Sequence, residues 1–224
     1  MRLRILLGTL AALTLAPGRG SVQILNASFE TPVIAPGTIT IVAAGQNTIA
    51  NWTVVGTDVL LVQTTYAEPG NGVNGFNAQQ GLNSVDLTGT GNTGLANGIQ
   101  QVINTVIGQA YTLTFWVGRA TGNAPFYNSP ATVDVSINGG PRTSYTNNGT
   151  APGAVNWAAR SHTLRSDEYP TTVAFLNGTP PQTAFAGIDN ISITAGVPEP
   201  GTITLAAVGL PFLAFAAWRR RRSA

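Results

Sequence analysis

Two stretches of strict alternation constrain this chain most. Tyr111 to Val117 reads Tyr-Thr-Leu-Thr-Phe-Trp-Val, and Thr132 to Asn138 reads Thr-Val-Asp-Val-Ser-Ile-Asn. A period of two places Tyr111, Leu113, Phe115 and Val117 on one face of a strand. It likewise places Val133, Val135 and Ile137 on one face of another, so both strands are half-buried. Similar short runs predict strands near 21–25, 38–43, 52–62, 84–87, 99–106, 111–117, 132–138, 157–164, 171–176 and 187–194. Between them lie Pro69-Gly70-Asn71-Gly72, Asn138-Gly139-Gly140 and Asn147-Asn148-Gly149, where Gly and Asn supply positive φ. About ten short strands without a convincing helix predict an all-β domain, a β-sandwich of jelly-roll type.

Two residues break the alternation. Trp116 falls on the polar side of its strand with Thr112 and Thr114. Asp189 shares register with Ile191 and Ile193, and a carboxylate in an inward row needs a partner or an ion.

Charge narrows the function. Only 9% of residues are charged, and the formal net charge of +2 comes from the two ends. Between Ser21 and Val197 the cations are Arg119, Arg142, Arg160 and Arg165. They face Glu30, Asp58, Glu68, Asp86, Asp134, Asp167, Glu168 and Asp189, an excess of about four negative charges. No basic patch is present to neutralise phosphates, so nucleic acid is excluded as a partner. The absence of cysteine excludes disulfides, thiolate metal sites and a Cys nucleophile.

The ends are a different material. Arg2 and Arg4 precede an apolar run from Ile5 to Ala16, followed by Pro17, Gly18 and Gly20. That order predicts a secretory signal over residues 1–20, too short to span a bilayer. At the other end Val197-Pro198-Glu199-Pro200 is stiff and extended. Gly201 to Trp218 is then uncharged and, as a helix, about 27 Å long, so a transmembrane helix is predicted over 201–218. Trp218 stands at the interface, and Arg219, Arg220, Arg221 and Arg222 hold the C-terminus in the cytoplasm. The domain, residues 21–196, therefore faces outward.

Residues 197–224, with Pro198-Glu199-Pro200, the helix and the Arg run in order, resemble the PEP-CTERM sorting signal. The resemblance implies processing by exosortase, a membrane protease-transpeptidase, in an exopolysaccharide-producing bacterium. It also implies an inner-membrane-anchored precursor that is passed to the cell surface or extracellular matrix. A permanent tail anchor is the alternative.

A second resemblance spans the middle. Asn26-Ala27-Ser28-Phe29-Glu30-Thr31-Pro32, Asn51-Trp52, Gly81-Leu82-Asn83-Ser84-Val85-Asp86-Leu87, Gly98-Ile99-Gln100-Gln101, Gly108 to Phe115 and Gly187 to Ile193 follow one another. Their order resembles galactose-binding-like jelly rolls of unknown function, found in plant cell-wall proteins and in PEP-CTERM proteins and related to carbohydrate-binding modules. Ala27 stands where Gly is usual, and the paired Cys of plant members are missing. The resemblance implies one structural Ca2+ held by Glu30 and Asp189, with backbone carbonyls completing the six to eight oxygens calcium takes. The other reading has Asp189 accepting backbone hydrogen bonds in a turn, and both stand at this point.

The chemistry available is thin. His162 is the only histidine, no Gly-x-Ser-x-Gly elbow occurs, and there is no lysine. The expectation is a non-enzymatic surface or matrix protein that binds exopolysaccharide or cell-wall glycan. A purely structural matrix protein and a glycan-acting hydrolase are the alternatives. If sugar binds, Trp116 is the expected platform, with Arg119 just beyond the strand end and Tyr127 in the adjoining loop. The competing reading covers Trp116 with that loop.

Overall fold

The computed structural model describes residues 21–90, 96–180 and 185–196. The expected signal over 1–20, the sorting tag 197–224 and the transmembrane helix expected over 201–218 lie outside the described residues. Among the described residues no helix is long and apolar enough to cross a membrane.

Among the described residues eleven strands form: β1 (Ile39–Ala43), β2 (Thr53–Val55), β3 (Asp58–Gln63), β4 (Asn83–Asp86), β5 (Gly98–Ile103), β6 (Ala110–Ala120), β7 (Ala131–Ile137), β8 (Thr143–Asn147), β9 (Val155–Arg165), β10 (Thr171–Asn177) and β11 (Gly187–Ala195). Sheet A runs β1-β3-β4-β11-β6-β9 and sheet B runs β2-β5-β10-β7-β8, with antiparallel neighbours throughout. Strands β4 to β11 thus fall in the orders 4-11-6-9 and 5-10-7-8, which is the jelly roll. The expected all-β sandwich is what forms.

The inward rows make the core. Tyr111, Leu113, Phe115 and Val117 of β6 meet Val133 and Val135 of β7 and Val173 and Phe175 of β10. An aromatic chain crosses between the sheets: Phe29 lies 5.6 Å from Trp52, Trp52 6.1 Å from Phe175, Phe175 5.1 Å from Phe115, and Phe115 5.2 Å from Tyr145. Asn26 fixes the entry to this chain. Its carbonyl accepts the Trp52 Nε1–H at 3.1 Å, and its Nδ2 donates to Thr31 and Ala50 carbonyls.

Three elements differ from expectation. The segment 21–25 is not a strand. It lies against the core through Val22 and Ile24, while the Gln101 amide accepts from Leu25 N and donates to Leu25 O. A side chain there replaces a ladder. The expected strand 52–62 breaks at Gly56, whose φ of +84° lets the chain pass from sheet B to sheet A. A Cβ at Gly56 would meet Ala96 O at 2.6 Å, so both the turn and the close approach require glycine. Strand β8 was not anticipated, because Thr-Ser-Tyr-Thr-Asn shows no apolar alternation. It is an edge strand whose anchor on the core is Tyr145.

Candidate functional site

The outer face of sheet A is built by the register of its last three strands. Thr114 of β6 lies between Ser161 of β9 and Ser192 of β11, and Thr112 lies between Thr163 and Thr194. The next position outward on β6 is Trp116, opposite Ala159 and Asp189. Ser161, Thr163, Ser192 and Thr194 are exposed, and Trp116 is half-buried. Among the described residues nothing hydrogen-bonds the Trp116 Nε1–H. The face is therefore a carpet of hydroxyls ending in the partly open indole of Trp116, with the likewise half-buried Trp157 further along it. Beyond it, Gly118 lies directly under the Trp157 ring, 2.7 Å from where its Cβ would be. The Trp157 Nε1–H donates to Asn77 O at 2.8 Å.

Trp157 borders a second apolar cluster, of Val62, Val73, Phe76, Ala120, Val155 and Phe185, against which Tyr66 and Tyr127 also pack. Tyr127 stands edge-on to Phe76 at 5.7 Å and donates its hydroxyl to Glu68 Oε2 at 2.8 Å. Tyr66 donates to Glu68 Oε1 at 2.9 Å, and Asn71 Nδ2 to Oε2. Burial, then the Glu68 hydrogen bond and charge, raises the Tyr66 phenol to about 12 and pushes Tyr127 up further still. Tyr127 thus serves a half-buried carboxylate.

Arg119 does not join Trp116. It faces the opposite way on β6 and is buried, donating to Ser129 O at 2.9 Å, Asn148 O at 2.7 Å, Gly149 O at 3.1 Å and Asn128 O at 3.3 Å. Its donors tie loop 128–129 to loop 148–149. The three expected sugar contacts therefore separate: Trp116 on the outer face, Tyr127 in the second cluster, Arg119 as an inter-loop clamp.

Glu30 and Asp189 do come to one place, at the turn 79–83. Asp189 Oδ2 accepts Gln79 N and Gln80 N at 2.8 and 2.9 Å, and Oδ1 accepts Asn190 N at 2.6 Å. Glu30 Oε1 accepts Leu82 N and Asn83 N at 2.9 and 3.0 Å. Asp189 is fully buried, and burial, assisted by the Glu30 charge, raises its carboxyl to about 7 against the pull of those N–H donors. Among the described residues no group of three or more His, Cys, Asp and Glu converges on one point. Glu30 and Asp189 together hold the turn 79–83 through its backbone N–H groups.

His162 Nδ1 lies 2.9 Å from the Tyr145 hydroxyl, and burial lowers its pKa. Asp86 is buried, with Oδ1 accepting Thr88 N, Thr88 Oγ1 and Ala186 N, and burial raises it to about 6.

The outer face of sheet B carries a feature that the sequence reading missed. Two concavities of about 410 and 290 Å3 adjoin at Gln100, the first holding Asn51, Thr53 and Val102, the second Val55, Ser136 and Thr172. The signal was the alternation within β5 and β10, which sends Gln100, Val102 and Thr172 outward.

Strand order and sequence together define a jelly-roll domain carrying a C-terminal protein-sorting motif. The PEP-CTERM protein-sorting motif matches residues 196–222 and indicates an exported, membrane-anchored precursor sorted by an exosortase. Residues 22–194 match the family described as protein of unknown function (DUF642), and the chain belongs to that family. No curated protein matches. Among solved structures, a family 35 carbohydrate-binding module from Clostridium thermocellum aligns at 22% identity over 71% of this chain and 100% of its own, with TM-score 0.39. The CBM22-1 xylan-binding domain of Paenibacillus barcinonensis Xyn10C aligns at 15% over 72% and 97%, with TM-score 0.39. An exo-β-1,3-galactanase from Phanerochaete chrysosporium aligns at 16% over 72% of this chain, TM-score 0.38, and this chain spans 30% of that enzyme. Likenesses this distant carry no functional argument.

Proposed function

We infer that this chain is an exosortase-sorted envelope protein whose jelly-roll domain binds polysaccharide, without catalysis, at the cell surface or in the extracellular matrix. The observation that carries this reading is Trp116, a partly open indole without a hydrogen-bond partner among the described residues, at the end of a face of Thr and Ser hydroxyls. A pyranose ring presents an apolar C–H face that stacks on indole. Its hydroxyl rim finds side-chain donors and acceptors on neighbouring strands about 4.8 Å apart. A purely structural matrix protein has no use for a half-open tryptophan on a polar face.

Four groups that could do acid–base work have a structural use, which supports a non-catalytic role. Glu68 receives Tyr66, Tyr127 and Asn71; Asp86 and Asp189 receive backbone N–H groups; His162 meets Tyr145. Delivery rests on the tag: the uncharged segment 201–218 holds the precursor in the membrane, and exosortase acts at Pro198-Glu199-Pro200.

The test is calorimetric titration of the full chain, held in a non-glycosidic detergent, with soluble β-glucan, xylan and galactan. Trp116→Ala weakens binding about tenfold, the worth of one aromatic stacking contact, with an unchanged thermal midpoint. Full affinity in the folded variant, or no binding of any of the three by the native chain, overturns the reading.

A further inference from the structure

We propose that the outer face of sheet B is a second glycan-binding surface, so that the domain connects two neutral polysaccharide chains from opposite sides. This rests on the reading of Trp116 given above and adds a site to it.

The two faces are opposed by construction. On β6 the core takes Leu113, Phe115 and Val117, leaving Trp116 outside sheet A. On β5 and β10 the core takes Ile99, Ile103, Val173 and Phe175, leaving Gln100, Val102 and Thr172 outside sheet B. A close-packed core lies between, with the sheets about 10 Å apart. One short glycan segment cannot reach both faces of a rigid sandwich.

The sheet B surface is concave, and its chemistry is specific. The two adjoining cavities cross β2, β5, β10 and β7, about 14 Å of neighbouring strands, longer than one sugar unit. Gln100 stands where they meet, and among the described residues nothing hydrogen-bonds its amide, nor that of Asn51, nor the Thr172 hydroxyl. A carboxamide offers a donor and an acceptor side by side, the pattern that vicinal sugar hydroxyls satisfy. Val55, Val102 and Leu176 supply apolar surface for C–H groups.

Charge selects the ligand class. No carboxylate lines either cavity, and the lining cation, Arg142, lies 3.8 Å from Asp134. With four Arg against eight acids in the domain, a polyuronate is repelled and a neutral glycan is not. Two binding faces on one rigid body convert modest single-site affinity into avidity for a polymer network, and they tie chains together.

The experiment uses the same full chain in non-glycosidic detergent, with a neutral hexasaccharide from whichever of β-glucan, xylan and galactan binds, and with polygalacturonate as the acidic comparator. The expected stoichiometry is two hexasaccharides per chain. Gln100→Ala and Trp116→Ala each lower one of the two affinities about tenfold. Each also abolishes the rise in viscosity that the native protein produces in the parent polysaccharide. Gln100→Glu gives the same result as Gln100→Ala, and unchanged thermal midpoints certify both folds. A stoichiometry of one, lost in Trp116→Ala and intact in Gln100→Ala, removes the sheet B surface and leaves the Trp116 reading standing. A stoichiometry of one lost only in Gln100→Ala removes the Trp116 reading and, with it, the two-sided connector. Tighter binding of polygalacturonate than of the neutral polymers overturns the ligand class.

Discussion

Arg119 gives the sharpest contest between what its position promised and what its surroundings do. Replacing it with Met keeps the aliphatic stem and the burial but deletes the guanidinium. Four carbonyls, of Asn128, Ser129, Asn148 and Gly149, then lose their donor at one end of the sandwich. Each charge-assisted bond is worth about 1.5–3 kcal/mol, but the four share one cation and are not additive. Removing the hub of a buried network costs about 3–5 kcal/mol. A domain of this size moves its midpoint about 2–4 °C per kcal/mol, so thermal unfolding of Arg119→Met falls by about 10 °C. Arg119→Lys keeps the charge with three donors on a different geometry and recovers only part of that loss. Circular dichroism melts measure both variants, and glycan titration below the transition is expected to show no loss of affinity. An unchanged midpoint together with a tenfold weaker glycan affinity refutes the clamp and returns Arg119 to the sugar-contacting role its sequence position implied.

Asp86 and Asp189 predict an unusual pH dependence. Both carboxyls bind protons more tightly folded, at about 6 and about 7, than in the unfolded chain near 4, so their contribution is complete below about pH 4 and lost as pH rises through 6 and 7. His162, whose pKa burial lowers, acts in the opposite sense and is one partly exposed group. The melting midpoint therefore falls between pH 5 and pH 8, and a flat or rising profile contradicts the burial argument. Because Glu30 and Asp189 hold the 79–83 turn through backbone N–H groups, excess EDTA leaves the midpoint unchanged; a drop of several degrees restored by Ca2+ establishes the calcium pair. Intact mass of envelope material finds chains ending near Val197 to Pro200. Chains that all retain Arg219 to Arg222 establish a permanent anchor instead.

The fold was legible because jelly-roll strands that face solvent on one side write their orientation into every second residue. Tyr111 to Val117 and Thr132 to Ile137 declared their inward rows, and those rows make the core. Elements that the alternation does not govern escaped. Strand β8 pairs at an edge and turns inward only Tyr145 and the polar Asn147, which donates to Val117 O, so its sequence carried no apolar period. The segment 21–25 is apolar enough for a strand, yet Gln101, a residue nearly 80 positions away, takes both hydrogen bonds of Leu25 with its amide. No local pattern encodes a partner that distant. Gly56 mattered more than its flanks, because a single positive φ moved the chain from one sheet to the other. The site was legible in the same partial way. Trp116 was visible as a violation of the period; Asp189 looked like one because the β-bulge between Asp189 and Ser192, which leaves Asp189 on the outer face beside Trp116 and turns Ile191 and Ile193 inward, is not written in the alternation. What resolved them was non-local: Asp189 met the backbone of residues 79 and 80, about 110 positions earlier, and Trp116 met no hydrogen-bonding partner among the described residues. Arg119 misled for a complementary reason. A cation at a strand end next to a loop looks available, and whether it binds a ligand or the loop's own carbonyls depends on where the chain returns thirty residues later, at Asn148 and Gly149. A residue that breaks the pattern and ends with its polar groups satisfied is a structural device. One that breaks it and ends unsatisfied at a half-open surface, as Trp116 does, is where a ligand contact is expected; Gln100 obeys the alternation of β5 and shares with Trp116 only the unsatisfied polar group, on the opposite face.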